Sequence, residues 1–101
     1  MTEIIQSKTF SKWLAKLRDL QSKAVIIERI VLLQCGDAGD SKSVADGISE
    51  MRIHSGPGYR IYYLQQGMTI IVLLCAGNKS SQARDIRQAE RMARKWRLDH
   101  G

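Results

Sequence analysis

The stretch EMRIHSGPGYRIYY, residues 50–63, sets the fold of this chain. Two short runs in which polar and apolar residues alternate flank Gly-Pro-Gly, a combination typical of a tight turn. A chain that folds back at this turn brings Arg52 opposite Arg60, and partners across two strands share a face. The stretch therefore predicts a β-hairpin with two unlike faces. The apolar face holds Met51, Ile53, Tyr59, Ile61 and Tyr63, and the polar face holds Glu50, Arg52, His54, Arg60 and Tyr62.

The residues before the hairpin predict one strand and two helices. A short strand fits residues 2–6, and apolar residues at i, i+3, i+4 and i+7 over residues 10–17 predict an amphipathic helix. A break over 19–22 then precedes a second helix over 23–34, which ends at a glycine. Two adjacent helices with a short link form an αα-hairpin.

The residues after the hairpin predict a central strand and a basic helix. Residues 43–47 suit a short edge segment ahead of the hairpin, and residues 68–76, apolar on both faces, suit a strand covered on both sides. A last helix over 81–97 carries a narrow apolar stripe. The predicted order is β-α-α-β-β-β-α, an α+β layout in one domain, 1–101: an N-terminal helical hairpin packed on a small antiparallel sheet, with a C-terminal basic helix.

Composition bounds the classes of function. The chain has 101 residues, of which 44% are hydrophobic, so it can bury a modest core but not a deep cofactor domain. Its two cysteines form no CxxC pair, and no His/Cys cluster has the spacing of a zinc site, so we expect neither a metal nor a cofactor. With no secretory pattern and no apolar run long enough for a bilayer, we expect a cytoplasmic protein away from the membrane.

The positive charge is concentrated near the C-terminus. The formal net charge is +6, and residues 79–101 hold seven Lys and Arg against three Asp and Glu. Such a basic end suits an anionic partner, for example a nucleic acid or an acidic protein segment, while the alternative is a solvated helix face. On this helix, Arg84 and Arg87 are candidate RNA contacts.

The polar face of the hairpin gathers groups that suit phosphate chemistry. Arg52 and Arg60, on neighbouring strands, present guanidinium forks that match phosphate oxygens. His54 shares their face and is a candidate general base or acid, because an imidazole titrates near neutrality. Tyr62 is a candidate for positioning or stacking a nucleotide. The alternative is a wet sheet face with two solvated arginines and an incidental histidine.

A second phosphate contact is predicted between the last strand and the last helix. Lys79 precedes Ser80, and the free N–H groups at a helix start attract anions. The alternative is a loop lysine in water. The chain contains no Walker, GxSxG, HExxH or EF-hand pattern, so these common sites are excluded.

The hairpin, the apolar strand and the following GNKSSQ segment, residues 77–82, together resemble the addiction-module killer proteins. These are the HigB-like branch of the RelE/ParE superfamily of type II toxins. The resemblance covers nearly the whole chain and is strongest over residues 50–89. It implies a toxin that is neutralised by a cognate antitoxin protein, and that meets operator DNA only through the antitoxin complex.

The resemblance also implies a reaction. Ribosome-dependent relatives cleave messenger RNA without a metal, because the 2′-hydroxyl of the RNA attacks the neighbouring phosphate. Carried onto this chain, Arg52 and Arg60 hold that phosphate, and His54 acts as base or acid. Tyr62 positions a nucleotide, and Lys79 adds positive charge. Because a long helix follows Lys79 where several relatives place catalytic residues, two alternatives stay open: a ParE-like toxin that inhibits DNA gyrase, or a protein that only binds its antitoxin and helps repress their operon.

Overall fold

The computed structural model describes residues 2–100. These residues form three helices, five strands and a short 3-10 turn at Lys79–Ser81. In chain order the elements are β1 (Glu3–Gln6), α1 (Lys8–Lys16), α2 (Leu20–Gln34), β2 (Ser41–Ala45), β3 (Ile48–Ile53), β4 (Tyr59–Gln66), β5 (Ile70–Asn78) and α3 (Gln82–His100). The strands form one sheet in the order β1-β5-β4-β3-β2. The predicted α+β class is confirmed.

The sheet lies between two helical layers, each with its own apolar core. The core on the α1 and α2 side is built on Phe10, Ile26, Met51, Ile61 and Leu73. On the other side, Ala89 and Ala93 of α3 pack against side chains of the sheet, which include Tyr62 and Leu74. Neighbouring residues of a strand point to opposite faces, so the doubly apolar strand β5 contributes to both cores.

The predicted hairpin register is confirmed. Arg52 pairs with Arg60 and Glu50 with Tyr62, so their side chains share one face of the sheet. Gly56 and Gly58 in the turn have φ angles of 55° and 81°, which glycine adopts without steric cost. The apolar face belongs to the α1 and α2 core, as expected. The other face is not open to water at its inner end, because α3 covers it.

The second helix begins earlier than predicted. The predicted break over 19–22 is wrong, since α2 starts at Leu20 with Asp19 as its N-cap. The Asp19 carboxylate accepts hydrogen bonds from the backbone N–H of Ser22, at 3.1 Å, and from its hydroxyl, at 2.6 Å. These bonds lower the pKa of Asp19, the Ser22 hydroxyl contributing most. A capping aspartate thus begins a helix where composition suggested a loop.

Three further differences concern the strands and the last helix. β1 pairs with β5 in parallel, so the sheet is antiparallel only in the meander from β2 to β5. The predicted edge segment 43–47 is a full edge strand, β2, and β5 runs two residues beyond the predicted end at 76. α3 extends to His100 instead of 97. None of the helices within residues 2–100 is long and apolar enough to cross a membrane.

Candidate functional site

A buried carboxylate organises the polar side of the hairpin. Glu50 on β3 is fully buried, and its Oε2 accepts hydrogen bonds from the Tyr62 hydroxyl, at 3.1 Å, and from the Gln82 amide, at 2.9 Å. Its Oε1 lies 3.3 Å from Nε of Arg52 and 3.4 Å from Nε of Arg60. A buried charge needs such partners, and Glu50 draws them from three elements, β3, β4 and α3.

These partners keep Glu50 ionised. Burial opposes the charge, but the hydrogen bonds from Gln82, Tyr62 and Arg52, together with the Arg60 guanidinium, outweigh it and hold the pKa of Glu50 below its ordinary value. In return, burial and then the Glu50 carboxylate raise the pKa of Tyr62, so its phenol stays protonated and donates. The network is thus a fixed anion held between fixed donors.

Both arginines are anchored through their inner nitrogen. Because Nε of each guanidinium faces Glu50, the terminal nitrogens extend beyond the carboxylate toward the outside of the sheet. Nε of Arg60 is buried and makes no geometrically good hydrogen bond within residues 2–100. Arg60 therefore depends on the charge of Glu50 for its compensation.

A cleft of about 150 Å³ opens where the arginines emerge. It brings together four of the predicted site residues, Arg52, His54, Arg60 and Lys79, from the ends of β3, β4 and β5. Its lining is completed by Ile53, Pro57, Gly58 and Tyr59. Three permanent cations and an imidazole around so small a volume form a surface suited to an anion.

His54 lies one residue beyond β3, and its side chain is 75% exposed. Its Nε2 contacts the carboxylate of Asp40, which lies just before β2 and 4.0 Å from Nη1 of Arg52. The contact with His54 is the main cause that lowers the pKa of Asp40, with Arg52 adding to it. An imidazole held by a carboxylate and open to solvent has the arrangement of an oriented base or acid.

Helix α2 fixes this end of the sheet from the opposite face. Nη1 of Arg29 donates to the carbonyl of Arg52 over 2.7 Å, and Nη2 donates to the carbonyl of Ala38 over 3.2 Å. The hydroxyls of Ser22 and Ser55 lie 2.8 Å apart and join the start of α2 to the hairpin turn. The cleft is therefore built on a supported backbone rather than on a free loop.

The structure corrects the role predicted for Tyr62. Its ring is fully buried in the core beneath α3, so it has no face available to stack on a base. The tyrosine that lines the cleft is Tyr59, which the alternation assigned to the core. Tyr59 does both, because its ring packs edge-on against Trp13 with centroids 5.6 Å apart.

The remaining predicted contacts lie outside the cleft. Both the backbone N–H and the hydroxyl of Ser80 donate to Asn78 Oδ1, so Asn78 caps the 3-10 turn and engages the serine, which does not line the cleft. Arg84 and Arg87 are exposed on α3, and Nε of Arg84 lies 3.9 Å from Asp85. They belong to the basic surface of α3, which also carries the exposed Arg91, Arg94 and Lys95.

Sequence reasoning missed Asp40, Gln82 and Arg29. Each is remote in sequence from the hairpin, and the tertiary fold brings it to the site. Gln82 ends the GNKSSQ segment, but nothing in that segment indicates a contact with Glu50. Among residues 2–100, no group of three His, Cys, Asp or Glu side chains converges in a way that holds a metal ion.

The fold and the cleft together define a small α+β protein with a cationic cleft at one end of a mixed sheet. Residues 12–96 match the family described as phage derived protein Gp49-like. The chain belongs to this family, a RelE- and HigB-like family of toxins in toxin–antitoxin modules. It is also 48% identical, over 96 residues, to an uncharacterized protein of Haemophilus influenzae, a match that covers 95% of this chain and 97% of the relative.

Proposed function

We propose that the chain is the toxin of a type II toxin–antitoxin module and acts as a ribosome-dependent messenger RNA endoribonuclease. The observation that carries this proposal is the cleft itself, where Arg52, Arg60, Lys79 and His54 surround a volume of about 150 Å³. A phosphodiester is the anion that such a set fits, because two guanidiniums and an ammonium complement its oxygens. Membership of the Gp49-like family of toxins supports the toxin part of this proposal.

The proposed reaction uses the RNA as its own nucleophile. The 2′-oxygen forms a bond to the adjacent phosphorus while the bond from phosphorus to the 5′-oxygen breaks. A base takes the 2′-hydroxyl proton, and an acid supplies a proton to the departing 5′-oxygen. His54 transfers one of these protons, held in orientation by Asp40. Arg52, Arg60 and Lys79 stabilise the negative charge that develops on the phosphate oxygens.

In this proposal Glu50 and Tyr62 position the arginines and do not touch RNA. Glu50 fixes both guanidiniums through their Nε atoms, and Tyr62 and Gln82 fix Glu50. The exposed Arg84 and Arg87 extend the contact with RNA beyond the cleft, since they continue the basic surface on α3. A cognate antitoxin protein is the partner that keeps the chain inactive.

The experiment is inducible expression in growing bacteria, with 5′ ends of messenger RNA mapped within minutes of induction. The strains carry wild type, His54→Ala, Lys79→Ala, Arg60→Ala, and, as a control, Lys12→Ala at an exposed lysine of α1 that does not line the cleft. We expect cuts at in-frame codon positions for wild type and Lys12→Ala. We expect His54→Ala to cut at least about 100-fold less, the usual contribution of a general acid or base.

The outcomes separate the alternatives. Immunoblots at equal protein level, and unfolding curves of the purified variants, establish that lost cutting is not lost protein. Growth arrest without cuts, accompanied by DNA-damage signalling, overturns the nuclease in favour of a gyrase inhibitor. Absence of any arrest overturns both toxic activities and leaves antitoxin binding as the role.

A further inference from the structure

The outer face of α2 is apolar, although it points directly away from the core. Leu20, Ile27 and Val31 are 76%, 48% and 53% exposed, and the small Ala24 between them is exposed as well. These four residues, here called the α2 stripe, lie opposite the buried residues of the same helix, Ser22, Ile26 and Leu33. Four of the six exposed large apolar side chains within residues 2–100 lie on α2. An outward helix face in water is normally polar, so the apolar face of α2 indicates an interaction surface.

The spacing of the stripe identifies what covers it. The four residues follow one another at intervals of four, three and four, which is the seam of a two-stranded coiled coil. A helix is therefore the occupant that the stripe fits, with small Ala24 allowing close approach. Because α2 is already held by the domain, pairing with a second helix costs little ordering of its backbone.

The charges beside the stripe favour a second copy of this chain. Lys23 flanks the seam on one side and Glu28 flanks it on the other, and neither is in an ion pair within residues 2–100. When two α2 helices pack in parallel, the flanking residue on one helix meets the one five positions further along on the other. Lys23 then meets Glu28 of the second copy, and the symmetric pair forms as well.

We propose that the chain forms a parallel, two-fold symmetric dimer through the α2 stripe, with Lys23 and Glu28 as reciprocal ion pairs. The interface spans about two heptads, so the dimer dissociates in the micromolar range and depends on concentration. α2 covers the face of the sheet opposite the one that carries Glu50 and Tyr62. The dimer interface and the Glu50 network therefore lie on opposite sides of the sheet, and the proposal does not depend on what the cleft does.

The test measures the molar mass of the protein in solution. The full chain is made by chemical peptide synthesis and folded, and sedimentation equilibrium is recorded over a concentration series. Wild type is expected to rise from 11.4 kDa toward twice that mass. Ile27→Glu, which places a carboxylate in the seam, should weaken the dimer about 100-fold. Leu98→Glu, at an exposed leucine on α3, is the control and should dimerise like wild type.

A charge exchange tests the register and the identity of the partner. Lys23→Glu alone and Glu28→Lys alone each turn both ion pairs into like-charge contacts and should weaken the dimer about tenfold. The double variant Lys23→Glu/Glu28→Lys restores both pairs and should recover wild-type association. Far-ultraviolet circular dichroism checks that each variant is folded.

Three results overturn the proposal. A wild type that stays at 11.4 kDa at every concentration leaves the stripe to a helix of another protein. A dimer that survives Ile27→Glu uses a different surface. A double variant that associates no better than the single ones contradicts the parallel register with a second copy.

Discussion

The Tyr62 hydroxyl donates to the Glu50 carboxylate over 3.1 Å, and both side chains are fully buried between β3, β4 and α3. Alternation alone assigns this phenol and this carboxylate to an open face, but they are instead a structural pair. They hold Arg52 and Arg60 at the rim of the cleft without reaching it. The cleft thus has residues that line it and buried residues that position them, and different experiments can separate the two groups.

Removing the Tyr62 hydroxyl should destabilise the protein. Tyr62→Phe leaves the ring in place but deprives a buried carboxylate of one donor, at a cost of about 1–3 kcal/mol in the free energy of unfolding. Urea unfolding at neutral pH measures this loss. Tyr63→Phe, on the other face of the same strand, is the control, since its hydroxyl takes no part in the Glu50 network. Equal stability of the two variants would contradict the assigned role.

The stability contributed by Glu50 should disappear in acid. Its pKa in the folded protein lies below the ordinary value of 4.5. The contribution is therefore fully present above the unfolded-state pKa, and it is lost as the pH falls through the lowered folded-state pKa. Urea unfolding from about pH 6 to about pH 3 should show a free energy that falls with acidity in wild type and falls less steeply in Glu50→Gln.

Asp19 and Asp40 provide the internal comparison for that experiment. Both have lowered pKa values and both remain in Glu50→Gln, so the variant should retain part of the pH dependence. A pH dependence identical to that of wild type would show that folding does not lower the pKa of Glu50. The additional variants Asp19→Asn and Asp40→Asn assign the remainder.

Loss of the Asp40 carboxylate should impair the proposed cleavage more than the fold. Asp40 is exposed and contacts the imidazole of His54, so Asp40→Asn should lower the rate of RNA cleavage about tenfold by disorienting that ring. The free energy of unfolding should change little, because an exposed ion pair contributes little to stability. Ribosome-dependent cleavage of a defined message measures the rate. Asp46→Asn, an exposed aspartate outside the cleft, should cleave like wild type.

The two cysteines should differ sharply in reactivity. Both are free, but Cys35 is exposed, whereas Cys75 lies under α3. Burial, with the nearby Asp85 carboxylate, raises the pKa of Cys75 to about 12, so almost no reactive thiolate forms at neutral pH. A colorimetric disulfide reagent should therefore titrate one thiol in the native protein and two in denaturant. Cys35→Ser should abolish the fast reaction, and a fast reaction that persists would place Cys75 at the surface.

Local sequence patterns predict the elements well where alternation and turn residues agree. The Gly-Pro-Gly turn and the alternation around it define the β3–β4 register to the residue. The start of α2 was missed because Asp19 and Ser22, which form its cap, are residue types that are also common in loops. The parallel pairing of β1 with β5 was also missed, since it joins segments that are far apart in the chain.

Four of the predicted residues line one cleft, whereas the residues that support that cleft were missed. Residue type marks arginine, lysine and histidine as candidates, and the hairpin register brings Arg52 and Arg60 together. The position of α3 decides which end of the polar face stays open. The residues of the hairpin do not indicate where α3 packs. This is why Tyr62 was assigned to the surface and Tyr59 to the core, and why Gln82 and Asp40 were not identified.

The pairing of β1 with β5 also determines how late in synthesis the sheet can be completed. Glu3 lies beside Ile70, so β1 has no neighbour in the sheet until residue 70 has been made. Lys79, which lines the cleft, and Gln82, which holds Glu50, come later still. A nascent chain therefore lacks its cleft until these residues have been added. The order of synthesis thus keeps the proposed nuclease incomplete while the first 80 or so residues of its own message are being read.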